Sequence, residues 1–217
     1  VLAMLPSGGD HIGGRMTIGP DEKLYLTVGD LAANHLGNHC AVNRAQELPT
    51  EAQVAAHNWD AYQGKVLRMN LDGSIPPDNP VVGGVRSHLF SYGHRTPQGL
   101  AFGSGGRLYE AEHGPATDDE VNLLRAGGNY GWPYVAGHRD DRSYVYANWS
   151  ASSPQPCASL DFVPIGGPAS VPQQKETAWR HPDFMAPLQT FFTVDGNYDF
   201  GTRGNAVIAP SGLEVYT

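Results

Sequence analysis

The stretch TIGPDEKLYLTVGD, residues 17–30, decides the fold, because its pattern returns as AFGSGGRLYEAEHG at residues 101–114. Each copy has an apolar pair, a turn that ends in a basic residue, and then Leu-Tyr. The flanking residues alternate, which predicts a β-hairpin in each copy. The second copy begins 84 residues after the first, or two steps of 42, and a repeat of ~40–45 residues is typical of β-propeller blades.

The composition also favours many short strands. The chain has 217 residues with 27 glycines and 17 prolines, and only 17% of its residues are charged. Its net charge of −8 argues against a nucleic acid or an anionic membrane as partner, and it permits a neutral substrate or a cation. The sequence shows neither an apolar run long enough to span a membrane nor a signal peptide. Both ends appear cut, so we expect a segment of a longer protein.

Three stretches outside the hairpins have a clear pattern. GKVLRMNLDGSIPPDNP, residues 64–80, predicts a strand followed by a turn at Asp72-Gly73. Thr50 and Gln53 form a capping-box pattern for a short helix that runs to about His57. Residues 145–175 predict a long loop. At 42 residues a blade, we expect three or four blades, with residues 1–217 forming a single, partial β-propeller domain.

A possible general base lies in PSGGDHIGGRM, residues 6–16. Glycines surround Asp10-His11 and leave the imidazole reachable, and an imidazole titrates close enough to neutral pH to take a proton. Asp30 follows the first hairpin, so the returning strand can bring its carboxylate beside His11. The alternative interpretation is a loop histidine that plays no part in chemistry.

A possible cationic clamp lies in GHRTPQGLAF, residues 93–102. Arg95 precedes a predicted strand, where it can point into a central cavity and stabilise an oxyanion or bind a carboxylate. The alternative interpretation is a surface arginine on a turn.

The acidic stretch EAEHGPATDDEVNLL, residues 110–124, predicts a calcium site. Calcium takes six to eight oxygen ligands and accepts main-chain carbonyls as well as carboxylates. Gly114 and Pro115 can offer carbonyls, and Glu120 and Asp140 can offer carboxylates. The alternative is a solvated acidic turn. Zinc is disfavoured, because the nine histidines are scattered and no HExxH pattern occurs.

The remaining aromatic and cysteine patterns are less specific. Tyr130 and Trp132 lie in a glycine-rich segment and are interpreted as packing residues. Cys40 and Cys157 are far apart and outside any CxxC pattern, so a zinc ribbon or redox dithiol is disfavoured. A disulfide and two free thiols both remain open.

Taken together, four motifs in order resemble the soluble pyrroloquinoline-quinone-dependent glucose dehydrogenases, within the glucose/sorbosone dehydrogenase family. They are GGDHIGGRMTIGPDEKLYLTVGD (8–30), YQGKVLRMNLDGSIPPDNP (62–80), SHLFSYGHRTPQGLAFGSGGRLYEAEHGPATDDEVNLL (87–124) and GGNYGWPYVAGHRDD (127–141). The resemblance covers roughly residues 7 to 150 and weakens towards 200. It implies an all-β, six-bladed β-propeller about twice this length, of which the chain would form the middle blades.

The resemblance implies a role for each matching residue. His11 would remove the proton from the anomeric hydroxyl of a sugar, Asp30 would orient this base, and Asp10 and Leu36 would contact the sugar. Arg95 would lie beside quinone and substrate and stabilise negative charge.

The resemblance also implies two kinds of calcium site. The carbonyls of Gly114 and Pro115 would bind the calcium ion that holds the quinone. A structural pair of calcium ions would be bound by Glu120, Tyr130, Ala136, His138, Asp140 and Glu176.

Some residues depart from the family's pattern. His113 and Thr96, both at the quinone site, stand where the family has Gln and Asn. His35 replaces a Gln near the sugar, and His138 replaces a Tyr. Residues 199–209 are shorter than their counterpart and lack the aromatic residues of the substrate entrance, so the expected pocket is altered or more open.

The sequence therefore predicts oxidation of an aldose such as glucose to its lactone, dependent on calcium and pyrroloquinoline quinone. The predicted protein is periplasmic or secreted, by resemblance a homodimer, and has an electron acceptor that the sequence does not name. One alternative is a dehydrogenase with a broader range of aldoses. Another is a non-catalytic, calcium-containing propeller that binds sugar or protein; such a protein would have no use for a base beside a cationic clamp.

Overall fold

A computed structural model describes residues 2–216 and contains mainly β-strands and irregular loops. The strands are β1 (Gly13–Ile18), β2 (Leu24–Val28), β3 (Lys65–Met69), β4 (Val81–Val82), β5 (Val85–Arg86), β6 (Leu89–Tyr92), β7 (Pro97–Phe102), β8 (Leu108–Glu112), β9 (Asp119–Leu124), β10 (Tyr146–Ala147), β11 (Gln173–Gln174) and β12 (Gln189–Phe191). The α-helices are α1 (Glu51–Ala55) and α2 (Phe200–Arg203). Short 3₁₀ helices cover Leu36–Asn38, Asp60–Tyr62, Ser104–Gly106, Trp149–Ala151, Cys157–Ser159 and Glu176–Ala178. Between residues 2 and 216, no helix is both long and apolar enough to cross a bilayer.

Two four-stranded antiparallel sheets form the framework. The first has the order β1-β2-β3-β6, and the second has the order β7-β8-β9-β12. The predicted hairpins start both sheets: Ile18 pairs with Leu24 in the first, and Phe102 pairs with Leu108 in the second. Both hairpin predictions are therefore confirmed, as is the strand predicted after Gly64.

The predicted spacing of one blade per 42 residues is wrong. β3 and β6, which lie between the two hairpins, complete the first sheet instead of starting another. Long connections separate these strands, at residues 29–64 and 70–88, so one sheet uses the whole 84-residue repeat. Residues 2–216 contain two four-stranded sheets, whereas three or four blades were predicted. These sheets do not close into a ring.

The two sheets pack against each other through a shared apolar cluster. Tyr25 and Val66 from the first sheet meet Leu100, Leu108 and Leu124 from the second, and all five are buried. A second cluster lies on the first sheet and contains Val28, Trp59, Tyr62, Leu67, Met69, Val82, Leu89 and Tyr92. Because β1 also lies beside β7, the ends of β2 and β8 are brought close together.

The predicted helix and the predicted loop are both present. Thr50 and Gln53 form both hydrogen bonds of a capping box, although the helix ends at Ala55 rather than His57. Residues 145–175 contain only two-residue strands and 3₁₀ turns, so most of this segment is loop, as predicted. We call residues 145–175 the excursion. A disulfide between Cys40 and Cys157 ties it to the connection after β2.

Candidate active site

The predicted base and its carboxylate are in direct contact. His11 Nδ1 lies 2.8 Å from Asp30 Oδ1, and both side chains are buried. Gly29 makes this approach possible, because a Cβ on it would lie 1.8 Å from the carbonyl oxygen of His11. The main-chain N–H of Gly29 donates to the carbonyl of Ile12. The end of β2 therefore runs beside the loop that carries His11.

The carboxylate of Asp30 is held by four donors. Besides His11, it accepts hydrogen bonds from the Ala32 N–H (3.0 Å), Asn43 Nδ2 (3.0 Å) and Trp132 Nε1 (2.7 Å). Trp132 was predicted to be a packing residue, and it is buried, but its indole N–H also fixes Asp30. The sequence around Trp132 does not predict this contact, because it joins residues 102 positions apart.

Arg95 lies next to this pair, as the sequence predicted. Its main-chain carbonyl accepts the N–H of Asp30 at 2.8 Å, and its guanidinium lies 5.4 Å from the centre of the Trp132 ring. Its Nη1 donates to the carbonyl of His113. Burial lowers the pKa of Arg95, and the negative charge of Asp30 opposes this change. Its buried Nε has no hydrogen-bond partner within residues 2–216, so one donor remains for a ligand.

The Gly114-Pro115 turn lines a cleft that Arg95 also lines. This cleft has a volume of about 210 Å³, and Arg95, Pro115 and Glu120 contribute to its lining. A Cβ on Gly114 would lie 1.8 Å from the carbonyl oxygen of Thr117, so the tight turn requires glycine. Within the described part of the chain, no hydrogen bond reaches the carbonyl oxygen of Gly114 or Pro115. These oxygens fit a calcium ion, which prefers such ligands.

The second candidate calcium set gathers around residues 136–141. Glu120 Oε2 accepts the N–H of Gly137 at 2.8 Å. Glu176 Oε1 accepts the N–H of Ala136 at 3.0 Å, and its Oε2 accepts the N–H of Asp141 at 3.0 Å. Burial raises the pKa of Glu176 to about 8 and raises that of Glu120 well above its usual range. Burial thus disfavours the ionised form of both carboxyl groups, and a bound cation would stabilise that form.

Three other members of that set are placed less directly. Asp140 and His138 are exposed, and the Asp140 carboxylate accepts the N–H of Arg142. The hydroxyl of Tyr130 donates to the carbonyl of Leu123, which leaves the main-chain oxygen of Tyr130 as the more accessible ligand. A calcium role for these three residues stays a prediction.

The predicted sugar-side residues line an open cleft of about 750 Å³. Asp10 is exposed, and its carboxylate accepts the N–H of His11 at 2.8 Å. Leu36 is 57% exposed, as suits an apolar contact for a ligand. His35 borders this cleft and also a second one of about 340 Å³ lined by Pro115 and Trp132. His35 thus lies between the sugar side and the Arg95 side.

Thr96 and His113, the predicted quinone contacts, flank Arg95. Thr96 Oγ1 is buried and without a hydrogen-bond partner in residues 2–216. His113 Nε2 lies 3.1 Å from the carbonyl of Pro210 and donates to it, because a carbonyl only accepts. Burial lowers the pKa of His113. Its Nδ1 is therefore the ring atom that remains for a ligand.

The shortened segment at residues 199–209 packs beside the Gly114-Pro115 turn. The Ala206 N–H donates to the carbonyl of Ala116 at 2.7 Å. The N–H groups of Ile208 and Ala209 both donate to Asp119 Oδ2. These contacts brace the turn that follows Pro115.

A buried cluster beside Arg95 was missed by the sequence analysis. His94, Glu110 and Glu112 each place one nitrogen or carboxylate oxygen within 4.8 Å of the others. Glu112 Oε2 accepts the N–H of Arg95 at 2.8 Å. Burial raises the pKa of Glu112 to about 7 and lowers that of His94 to about 3. The signal was available, because residues two apart in a strand share a face.

Comparisons with known proteins identify the family of the chain. Residues 2–195 match the family model described as Glucose / Sorbosone dehydrogenase. The whole chain is 46% identical to quinoprotein glucose dehydrogenase B of Acinetobacter calcoaceticus, over 224 aligned residues, and covers 47% of that protein. It is 38% identical to the aldose sugar dehydrogenase YliI of Escherichia coli over 58% of the chain, and covers 30% of that protein.

A solved structure is also similar. It is the PQQ-bound form of the aldose sugar dehydrogenase of Streptomyces coelicolor, with a TM-score of 0.50 and 36% identity, covering 61% of this chain and 33% of that one. The chain thus spans less than half the length of the relatives named here. Because the family model covers most of its residues, the chain belongs to the glucose/sorbosone dehydrogenase family.

Proposed function

We propose that the chain is part of a calcium- and pyrroloquinoline-quinone-dependent dehydrogenase that oxidises an aldose at its anomeric carbon to the lactone. One observation carries the proposal: the buried His11–Asp30 pair lies beside Arg95, with Asp30 bonded to the main chain of Arg95. An imidazole held by a carboxylate, next to a buried cation, suits the removal of a proton and a hydride from a hydroxyl-bearing carbon.

The residues that would hold the cofactor surround Arg95. Its guanidinium and the Thr96 hydroxyl offer polar atoms that are buried and without partners in residues 2–216. His113 offers a ring nitrogen, and the carbonyls of Gly114 and Pro115 would bind the calcium ion. When bound, the quinone supplies a two-electron acceptor for the hydride, and calcium polarises it.

His11 is the group that accepts the proton. Its Nδ1 is hydrogen-bonded to Asp30, so Nε2 is the atom left to take the proton of the anomeric hydroxyl. The four donors on Asp30 fix the carboxylate, which in turn fixes the tautomer and orientation of the imidazole. The positive charge that develops on His11 is stabilised by the negative charge of Asp30.

Arg95 stabilises negative charge next to the His11–Asp30 pair. It is 4% exposed and packed on Trp132, so water screens its charge only weakly. Its main chain is fixed at both ends, by Glu112 and by Asp30. A preorganised cation of this kind needs no reorganisation during the reaction.

The calcium-containing binding propeller is the rival function. It would keep the oxygen-rich turns, but it would not need an imidazole oriented by a carboxylate next to a buried guanidinium. A broader range of aldoses is consistent with the open cleft beside Asp10 and Leu36. The Cys40–Cys157 disulfide supports a periplasmic or secreted protein, because disulfides persist in oxidising compartments. A homodimer is proposed from the resemblance alone.

The test uses the full-length protein that contains this chain. It is loaded with pyrroloquinoline quinone and calcium, and absorbance is recorded before and after an aldose is added. We expect the spectrum to change to that of the reduced quinone. His11→Ala should leave quinone binding intact and lower the rate of reduction by about 10²–10⁴-fold, the usual contribution of a general base.

His57→Ala is the matched control, because His57 is exposed and its ring stacks on Trp59. The His57→Ala variant should reduce the quinone at the wild-type rate. Calcium binding without quinone binding would favour the binding propeller, and full turnover by His11→Ala would rule out His11 as the base.

A further inference from the structure

The segment that carries His35 and Leu36 has an unusual backbone. Leu31, Ala32, Asn34 and Leu36 all have positive φ angles, of 59°, 58°, 62° and 40°. A non-glycine residue in this region is strained and persists only where its surroundings hold it. The segment from Leu31 to Cys40 therefore needs contacts from elsewhere in the chain.

The excursion supplies those contacts. The Cys40–Cys157 disulfide joins the segment covalently to the excursion across 117 residues of sequence. Nearby, the ring of His39 meets the rings of Trp149 and Phe162 at centroid distances of 5.5 and 5.7 Å. Trp149 and Phe162 also contact each other at 5.4 Å. The disulfide and this aromatic cluster hold the excursion against the segment.

One of these rings reaches the catalytic base through His35. Phe162 makes an edge contact with the His35 ring at 5.3 Å and an interplanar angle of 80°. The His35 ring in turn stacks on His11 at 5.1 Å and 28°. The contacts thus run from Phe162 to His35 and then to His11.

We propose that Phe162, held in place by the Cys40–Cys157 disulfide, is a positioning residue that keeps His35 stacked on His11. It does not touch the reacting atoms. It acts by fixing the ring that covers the base and by keeping water away from it. The kinetic part of this inference rests on the proposed function, whereas the structural part does not.

The pKa of His35 depends on this packing. Burial lowers the pKa of His35 to about 4; Arg95 and His11 lower it further, while Asp30 and Asp10 raise it. A neutral His35 adds no positive charge beside His11. If Phe162 is removed, more of the His35 ring is exposed to water, and its pKa should rise towards the ordinary value of ~6.5.

The experiment is an NMR titration of the histidines in the full-length protein, in Phe162→Ala and in the double variant Cys40→Ala with Cys157→Ala. We expect the pKa of His35 to rise by at least one unit in Phe162→Ala and by less in the double variant. His88 is the internal reference, because burial elsewhere lowers its pKa too. Phe192→Ala is the matched control, since Phe192 is 58% exposed and follows β12.

The kinetic arm measures turnover with quinone, calcium and an aldose. Phe162→Ala should lower kcat by roughly 10–100-fold, because small displacements of a catalytic group are costly, and Phe162→Leu should recover part of this loss. An unchanged His35 pKa in Phe162→Ala would overturn the proposal. A rise at both His35 and His88 would also overturn it, because the effect would then be general and not transmitted through the contact of Phe162 with His35. If the wild-type protein has no turnover, the proposed function fails, and the titration still tests the positioning role.

Discussion

Each of the two repeated hairpins ends at a candidate site, and the two sites differ in whether their oxygen atoms accept hydrogen bonds from the chain. The first ends at Asp30, whose carboxylate accepts four hydrogen bonds from the chain itself. The second ends, 84 residues later, at Gly114, where two carbonyl oxygens lack donors in the described residues. One hairpin thus builds a site that is complete within the chain, and the other builds a site that suits an added cation.

The buried charged residues also differ between the regions of the two hairpins. In the first sheet, Lys65 is fully buried, and its ammonium group donates to the carbonyls of Arg44, Ala45 and Gln63. Around the second sheet, the buried acids Glu110, Glu112, Glu120 and Glu176 have pKa values raised mainly by burial. A buried cation thus lies in the first sheet and buried acids lie around the second, and burial disfavours the charged form of each.

The largest expected effect is on turnover, and it follows from a substitution at Asp30 in the first site. Asp30→Asn replaces one carboxylate oxygen with an NH2 group. Because each oxygen accepts two hydrogen bonds, two of the four become donor–donor contacts. The tautomer of His11 is then no longer fixed, and we expect turnover to fall by about 10²–10⁴-fold. The measurement is kcat of the loaded full-length protein, with Asp60→Asn at an exposed position as control. Wild-type turnover in Asp30→Asn would contradict the role of Asp30.

The second-largest effect is expected at the candidate calcium set around residues 136–141, which includes Glu120 from the second sheet. If calcium binds there, a concentration 100 times its Kd stabilises the fold by about 2.7 kcal/mol, and Glu176→Gln should lose most of this gain. The measurement is thermal unfolding with and without calcium, and Glu214→Gln, at an exposed position, is the control. An unchanged calcium response in Glu176→Gln would exclude Glu176 from the site.

The calcium-free protein should also respond to pH. The pKa of Glu176 is about 8 in the folded chain and 4.5 as an ordinary value. Because the folded state holds the proton more tightly, its contribution to stability is complete below pH 4.5 and is lost as the pH rises through 8. Calcium should remove this loss, since the cation replaces the proton.

A smaller effect is expected at Glu110, which lies outside the candidate calcium set. Its Oε2 accepts a hydrogen bond from Asn122, but its buried Oε1 has no partner within residues 2–216. Burial, followed by the charge of Glu112, raises its pKa well above the usual range. Glu110→Gln should therefore stabilise the calcium-free protein at pH 8 by about 1–3 kcal/mol.

At pH 4 the same substitution should change little, because glutamate is then mostly protonated in both the folded and unfolded states. The measurement is urea unfolding at the two pH values. Destabilisation at both would mean that the carboxylate has a stabilising partner, and the contrast between the two sheets would fail at this residue.

The sequence predicted the local parts of this contrast better than the long-range parts. The hairpins, the Thr50 capping box and the approach of Asp30 to His11 follow from turn residues and alternation over short distances. The number of sheets was wrong because β3 and β6 return to the first sheet after long connections. The Trp132 bond to Asp30 and the Cys40–Cys157 bridge join residues more than 100 positions apart, which no local pattern encodes.

The smallest expected effect is on the free energy of unfolding, and it concerns the turns of the two hairpins. Glu22 and Gly106 occupy equivalent positions in the repeat, and both have positive φ angles, of 58° and 71°. A Cβ on Gly106 would meet only Pro20 Cγ, at 3.7 Å, which is ordinary contact. The cost of Gly106→Ala is therefore the backbone conformation alone, about 1 kcal/mol.

Glu22→Gly should act in the opposite direction. It removes a similar backbone cost from the folded state, but glycine also makes the unfolded chain more flexible, so we expect a net stabilisation of only ~0.5 kcal/mol. Urea unfolding of both variants is the measurement, with an unchanged m value as the sign that only stability has changed. If both substitutions destabilise the protein, then Glu22 holds its turn through its side chain, and the two turns are equivalent in backbone shape but not in what stabilises them.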